Sequence, residues 1–121
     1  MAIDATIQQM LAIDGATGAA VIDLDSGMAL GQGGDPGFDL GLAAAGNSMV
    51  VRAKMNTMRD IGLEGRIDDI LITLDIQYHL IKVLATASTS GLFLYLVLDR
   101  TRANLALARF RLNALTADIA I

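Results

Sequence analysis

The stretch from Asp39 to about Ile61 constrains the fold more than any other, because it reads as one long helix with two apolar stripes. Asp39 is a credible N-cap, since its short carboxylate reaches the free N–H groups of a first helical turn. At ~100° per residue, Leu40, Ala44, Val51, Met55 and Met58 line up on one stripe. Leu42, Ala43, Gly46, Met49, Val50, Ala53 and Ile61 line up on a second. Ser48, Arg52, Asn56 and Arg59 form a polar strip between them on one side, and Asn47 and Lys54 a thinner divide on the other. A surface helix of a monomer needs one apolar stripe. Two stripes predict two apolar surfaces, one against the protein's own sheet and one against a partner helix. The small residues Ala43, Gly46 and Ala53 allow close helix–helix approach. The alternative is a helix buried centrally within one domain, although only three helices are available in the chain to build such a centre.

The rest of the chain reads as α+β. Ile3, Ile7, Met10 and Leu11 fall at helical spacing, which predicts a short amphipathic helix from about Asp4 to Ala12, ended by Asp14-Gly15. Thr17 to Leu24 reads as a strand, Asp25-Ser26-Gly27 as a hairpin turn and Met28 to Leu30 as a short return strand. Gly31 to Gly37, with the only proline at Pro36, reads as a flexible loop. Gly62 and Gly65 break the long helix. Ile67 to Leu74 reads as a strand with Ile70, Ile72 and Leu74 on one face, Tyr78 to Leu84 as the next, and Ala85 to Gly91 as a small-residue loop. Leu92 to Leu98 is apolar on both faces, which places it centrally in a sheet. A last helix from about Thr101 keeps Leu105, Ala108, Leu112, Leu115 and Ile119 on one stripe and leaves Arg102, Arg109 and Arg111 solvated. The order α-β-β-α-β-β-β-α with short connections predicts an antiparallel sheet with helices on its faces. At 121 residues the chain is expected to form a single domain over residues 1–121.

Composition narrows the function. Hydrophobic residues are 54% of the chain, above the ~45–50% usual for globular domains, so some apolar surface is expected to face a partner. Membrane insertion does not account for it. The longest run of large apolar side chains, Leu92 to Leu98, is far short of the ~20 residues that a spanning helix needs. The N-terminus carries Asp4 and no basic region, so the expected compartment is the cytoplasm. A net charge of −4 with two tyrosines and no tryptophan argues against nucleic acid. There is no cysteine, hence no thiolate metal site or disulfide framework.

Catalytic and ligand-binding patterns are incomplete in the chain. The Gly31–Gly37 segment lacks both the Lys-Ser/Thr pair of a Walker loop and the strand–Gly-x-Gly-x-x-Gly–helix order. His79, the only histidine, lies in a strand pattern. Ser26, Ser48, Ser88 and Ser90 lie in a turn, a helix and a loop, none within a Gly-x-Ser-x-Gly elbow. Asp68 and Asp69 are adjacent in a strand pattern and point to opposite faces, so they share neither proton nor metal. Their expected role is to blunt an edge strand. Asp23-x-Asp25-x-Gly27 begins like a calcium loop, but glycine occupies the third ligand position and no glutamate follows at the twelfth. Met49, Met55 and Met58 suit core filling or an adaptable binding surface. No catalytic residue, metal ligand or cofactor is expected.

Three stretches carry a resemblance to the roadblock/dynein light chain domain. They are Gly15-Ala16-Thr17-Gly18-Ala19-Ala20-Val21-Ile22-Asp23-Leu24-Asp25-Ser26-Gly27, the long alanine-rich helix, and Gly91-Leu92-Phe93-Leu94-Tyr95-Leu96-Val97-Leu98-Asp99 followed by Ala103 to Arg109. The chain resembles the bacterial single-domain type. The resemblance implies a five-stranded antiparallel sheet of profilin-like architecture with the last strand central. It also implies a homodimer in which long helices pair and third strands meet. On that basis Gly46, Met49, Val50, Ala53, Ile70 and Ile72 are the expected dimer interface. The family further implies a Ras-like small GTPase, or its complex, as partner, for which Arg52, Asn56 and Arg59 are the candidate contacts. An activator with an arginine finger would use Arg52 or Arg59. The resemblance supplies no such finger, so a rearranging or scaffolding role is expected. The alternative function is a small-molecule sensor, which needs an enclosed pocket with convergent polar groups.

Overall fold

The computed structural model describes residues 2–85, 89 and 91–117. Its elements are α1 (Ile3–Leu11), β1 (Ala16–Asp23), β2 (Ala29–Gly34), α2 (Leu40–Asp60), β3 (Asp69–Thr73), β4 (Gln77–Val83), β5 (Leu92–Asp99) and α3 (Leu105–Ala117). The five strands form one antiparallel sheet in the order β2-β1-β5-β4-β3. The strand that is apolar on both faces, β5, is the middle one. It is covered from both sides, and its interior residues Phe93 to Leu98 are all buried.

The alternation along each strand splits the core in two. Val21, Leu80, Leu94, Leu96 and Leu98 pack with Ile7, Met10, Ala108, Leu112 and Leu115 of α1 and α3. Ala20, Ile22, Ile81, Phe93, Tyr95 and Val97 pack on the other face with Leu40, Ala44 and Val51 of α2. Helices therefore cover both faces, two on one side and α2 alone on the other. Ile119 of the last helical stripe, and Ser88 and Ser90 of the β4–β5 connection, lie outside the described residues.

Several local expectations need correction. The segment read as a flexible loop is in its first half a strand, since β2 continues through Gly34. The reason lies above the sheet: α1 rests directly on β2. A Cβ on Gly31 would overlap the Cγ2 of Ile3, and one on Gly33 would come within 2.8 Å of Ile7 Cγ2. The glycines are there because a helix needs their space. The last helix begins at Leu105, not Thr101. Asp99 Oδ1 first accepts from the Thr101 N–H and hydroxyl, and Asn104 Oδ1 then accepts from Leu107 N at 3.1 Å, the geometry of an N-cap. Arg109 is only partly solvated and is not free. Its guanidinium grips Asp69 with two bonds of 2.9 Å, Nε to Oδ2 and Nη2 to Oδ1, tying edge strand β3 to α3. Asp68 pairs instead with Lys82. The two carboxylates do diverge, each to its own cation.

Candidate protein-binding surface

Helix α2 is capped as its sequence requires, with Asp39 Oδ1 accepting from Gly41 N at 2.8 Å and Leu42 N at 3.1 Å. It then runs over β1 and β2. The first stripe turns inward as far as Val51: Leu40, Ala44 and Val51 are buried. Ser48 joins them, which corrects its placement on the polar strip. Its hydroxyl donates to the Ala44 carbonyl at 2.8 Å, so the side chain satisfies itself on its own helix and is fully buried. Met55 departs in the other direction. It continues the core stripe by periodicity, yet it is 42% exposed.

The second stripe faces outward. Leu42 is 75% exposed, Met49 63% and Val50 41%, while Gly46 and Ala53 are exposed and Ala43 alone packs partly against the sheet. On the same side of the sheet, Ile70 and Ile72 of β3 are half-buried, and Ile70 touches the core beneath α2. β3 is an edge strand and its one ladder is with β4. The three polar candidates are all exposed on α2. Arg59 Nη2 donates to Asn56 Oδ1 at 2.7 Å, and Arg52 Nη1 donates to the Asp25 carbonyl at 3.3 Å, leaning over the β1–β2 turn. That turn is organised by Asp23, whose Oδ2 accepts from the Ser26 N–H and hydroxyl. These bonds hold the carboxyl below its usual pKa.

A polar chain that sequence reasoning missed lies on the same face. Gln77 Nε2 donates to the Pro36 carbonyl at 3.0 Å, which leaves its Oε1 to accept from His79 Nε2 at 2.9 Å. His79 Nδ1 is then the acceptor for the Tyr95 hydroxyl, also at 2.9 Å. One tautomer of His79, with the proton on Nε2, satisfies every link. The ring also meets Phe38, with centroids 5.5 Å apart, and Tyr95 edge-on. Burial pushes the His79 pKa down and the Tyr95 pKa up, the latter opposed by hydrogen bonding from Asn47. The chain ties β4 and β5 to the segment that leads into α2. The signal available in sequence was the only histidine on one strand and, on the next, a tyrosine inside an apolar run. Arg100, just after β5, is structural too: it donates to the Leu74 carbonyl at 2.7 Å and lies 5.1 Å from the Tyr78 ring centre.

Among the described residues no three of His, Cys, Asp and Glu stand together as a metal site, and no helix is long and apolar enough to cross a membrane. No family model matches the chain, and no curated protein does. Solved structures match over nearly its whole length. A Roadblock/LC7 domain from Streptomyces avermitilis superposes with a TM-score of 0.75 at 17% identity, over 97% of this chain and 90% of that one. Myxococcus xanthus MglB superposes with a TM-score of 0.82 at 17% identity, over 97% and 90%. The gliding protein MglB from Thermus thermophilus gives 0.78 at 18% identity, over 98% and 85%. With its strand order, its split core and its two-striped helix accounted for, the chain has the roadblock/LC7 fold.

Proposed function

We propose that the protein is a non-catalytic homodimeric regulator or scaffold that binds a Ras-like small GTPase or its complex. One observation carries the dimer: α2 buries its first stripe in its own core from Leu40 to Val51 and still presents a second stripe, with the small residues Gly46 and Ala53, to solvent. A second copy related by a two-fold axis brings the patch around Gly46, Met49, Val50 and Ala53 against itself. β3, with Ile70 and Ile72, is the edge at which two sheets join. Arg52, Asn56 and Arg59, on the flank of α2, then meet the GTPase. That partner is carried over from the resemblance of the sequence to roadblock domains and is supported by the fold.

Ala53→Asp tests the dimer. Ala53 is exposed on its own subunit, so the variant keeps its fold, while the seam acquires two facing carboxylates. At a separation of about 6 Å and an effective dielectric of ~20 their repulsion is ~3 kcal/mol, before desolvation of either charge. Analytical ultracentrifugation should find a folded monomer, or a dimer at least ~100-fold weaker. An undiminished dimer would show that the second stripe is not the seam. Affinity capture from the source cell tests the partner. A GTPase or GTPase-linked regulator should be recovered by the wild type and lost with Arg52→Asp/Arg59→Asp while the dimer persists. Recovery of neither would sink the GTPase reading.

A further inference from the structure

Val51 is the last buried residue of α2. Beyond it the helix overhangs the sheet, and the next inward positions, Met55 and Met58, roof a cleft of about 670 Å³. Four segments of chain enclose it: the last turns of α2, the connection from α2 to β3, the end of β1 with its turn, and the facing ends of β4 and β5. Its apolar lining includes Ile67 and Val83, which pack on the α2 side of the sheet as the two methionines' helix does, and its charged lining is Arg59, Arg66 and Asp25.

The volume is that of a small-molecule site, which typically spans ~300–1,000 Å³ with apolar walls and a few convergent polar groups. The rim fixes the charge of the occupant. On a chain of net charge −4, two exposed guanidiniums stand at the mouth of one apolar cleft. A guanidinium presents a fork of N–H donors that matches a carboxylate, and the bond Arg59 makes to Asn56 leaves most of its donors unspent. Asp68, the neighbouring acid on the Arg66 side, is engaged by Lys82. Methionine walls adapt to an irregular apolar body. We infer that this cleft binds a small amphipathic anion, with its alkyl or aryl body against Met55, Met58 and Val83 and its acidic head at Arg59 and Arg66. The inference does not rest on the GTPase reading, because it concerns the isolated protein.

Isothermal titration calorimetry of the full chain with sodium decanoate, below its micelle concentration, tests it. One saturable site per chain is expected. Arg59→Glu/Arg66→Glu should weaken binding about tenfold or more by removing charge-assisted hydrogen bonds. Arg102→Glu, the same charge change at an exposed residue before α3, should leave it intact. Decan-1-ol, with the same alkyl chain and no charge, should bind at least about tenfold more weakly. Met58→Trp, which fills the cleft, should abolish uptake while far-UV circular dichroism stays unchanged. Absence of a saturable site, equal binding of the alcohol, or indifference to the arginine reversal would each overturn the inference.

Discussion

Gly15 packs the α1–β1 turn against the β5–α3 connection, and replacing it with alanine isolates one tertiary contact. Gly15 has φ +86, and an added Cβ would stand 2.7–2.8 Å from Cα, Cβ and N of Ala103 in the β5–α3 connection. Those atoms are mostly backbone and cannot rotate away. A left-handed conformation costs an L-residue ~1–2 kcal/mol. Forcing a methyl into a packed contact costs ~1–3 kcal/mol more, and the stiffer unfolded chain returns ~0.4–1 kcal/mol. The net loss for Gly15→Ala is about 2–4 kcal/mol, a large share of the ~5–15 kcal/mol that holds a domain folded. The melting temperature should fall by on the order of 10 °C. Gly62→Ala is the control. Gly62 has φ +76 but nothing within 4 Å of its Cβ position, so the substitution carries the backbone cost alone, net about 1 kcal/mol or less. Urea titrations of both variants measure the difference. Equal losses would show that the β5–α3 connection yields freely and that the Gly15–Ala103 approach is not a structural constraint.

Two further outcomes follow from the polar contacts. Burial lowers the His79 pKa below its unfolded value, so below about pH 6.5 the unfolded chain takes up the proton first and stability falls with pH until the folded pKa is passed; above that range His79 contributes no slope. Because it is the only histidine, its ring signals are unambiguous in NMR: they should report the Nε2–H tautomer and a depressed pKa, and an Nδ1–H tautomer or an ordinary pKa would contradict the hydrogen-bond chain. Arg109→Lys should cost about 1 kcal/mol in urea unfolding, because a single ammonium cannot reproduce the two-bond grip on Asp69; the value is modest because the Arg109 side chain is 39% exposed. Arg111→Lys, on the exposed side of α3, should cost nothing measurable, and equal losses in both would contradict the pairing.

Much of the fold was legible because period and direction are local properties. The centrality of Leu92 to Leu98, the cap at Asp39 and the inward stripe of α2 as far as Val51 follow from which residues share a face, and the structure places them so. The misreadings share a cause: each depended on what lay above or below the residue in space. Gly31 and Gly33 carry the composition of a loop, yet they serve a strand that α1 sits upon. Ser48 is polar by type, yet its hydroxyl is spent on Ala44 one turn back, which frees it to be buried. Met55 and Met58 point along the core stripe, but periodicity gives a direction and not the extent of sheet beneath it. The opening pair Gly15 and Gly18 was visible as a motif. Its reason appears only in the structure, where Ala103 and the Pro36 ring occupy the space that side chains would need.

The distribution of exposed apolar side chains argues which face of the molecule needs an occupant. Of the twelve large apolar residues exposed among the described ones, six lie on α2 or just beyond its end: Leu42, Met49, Val50, Met55, Ile61 and Leu63. The α1/α3 face contributes Phe110. A sequence with an apolar surplus but no directed partner would scatter such residues, because each exposed one invites indiscriminate association. Here half of them follow one helix, in two groups. Leu42, Met49 and Val50 belong to the outward stripe with Gly46 and Ala53, whose small size suits close approach of another helix. Met55 and Leu63 border the cleft under the overhang, where the arginines stand. The first group calls for a flat apolar mate and the second for something that enters, so one helix accounts for two kinds of occupant. A folded Ala53→Asp monomer that still takes up decanoate would separate the two.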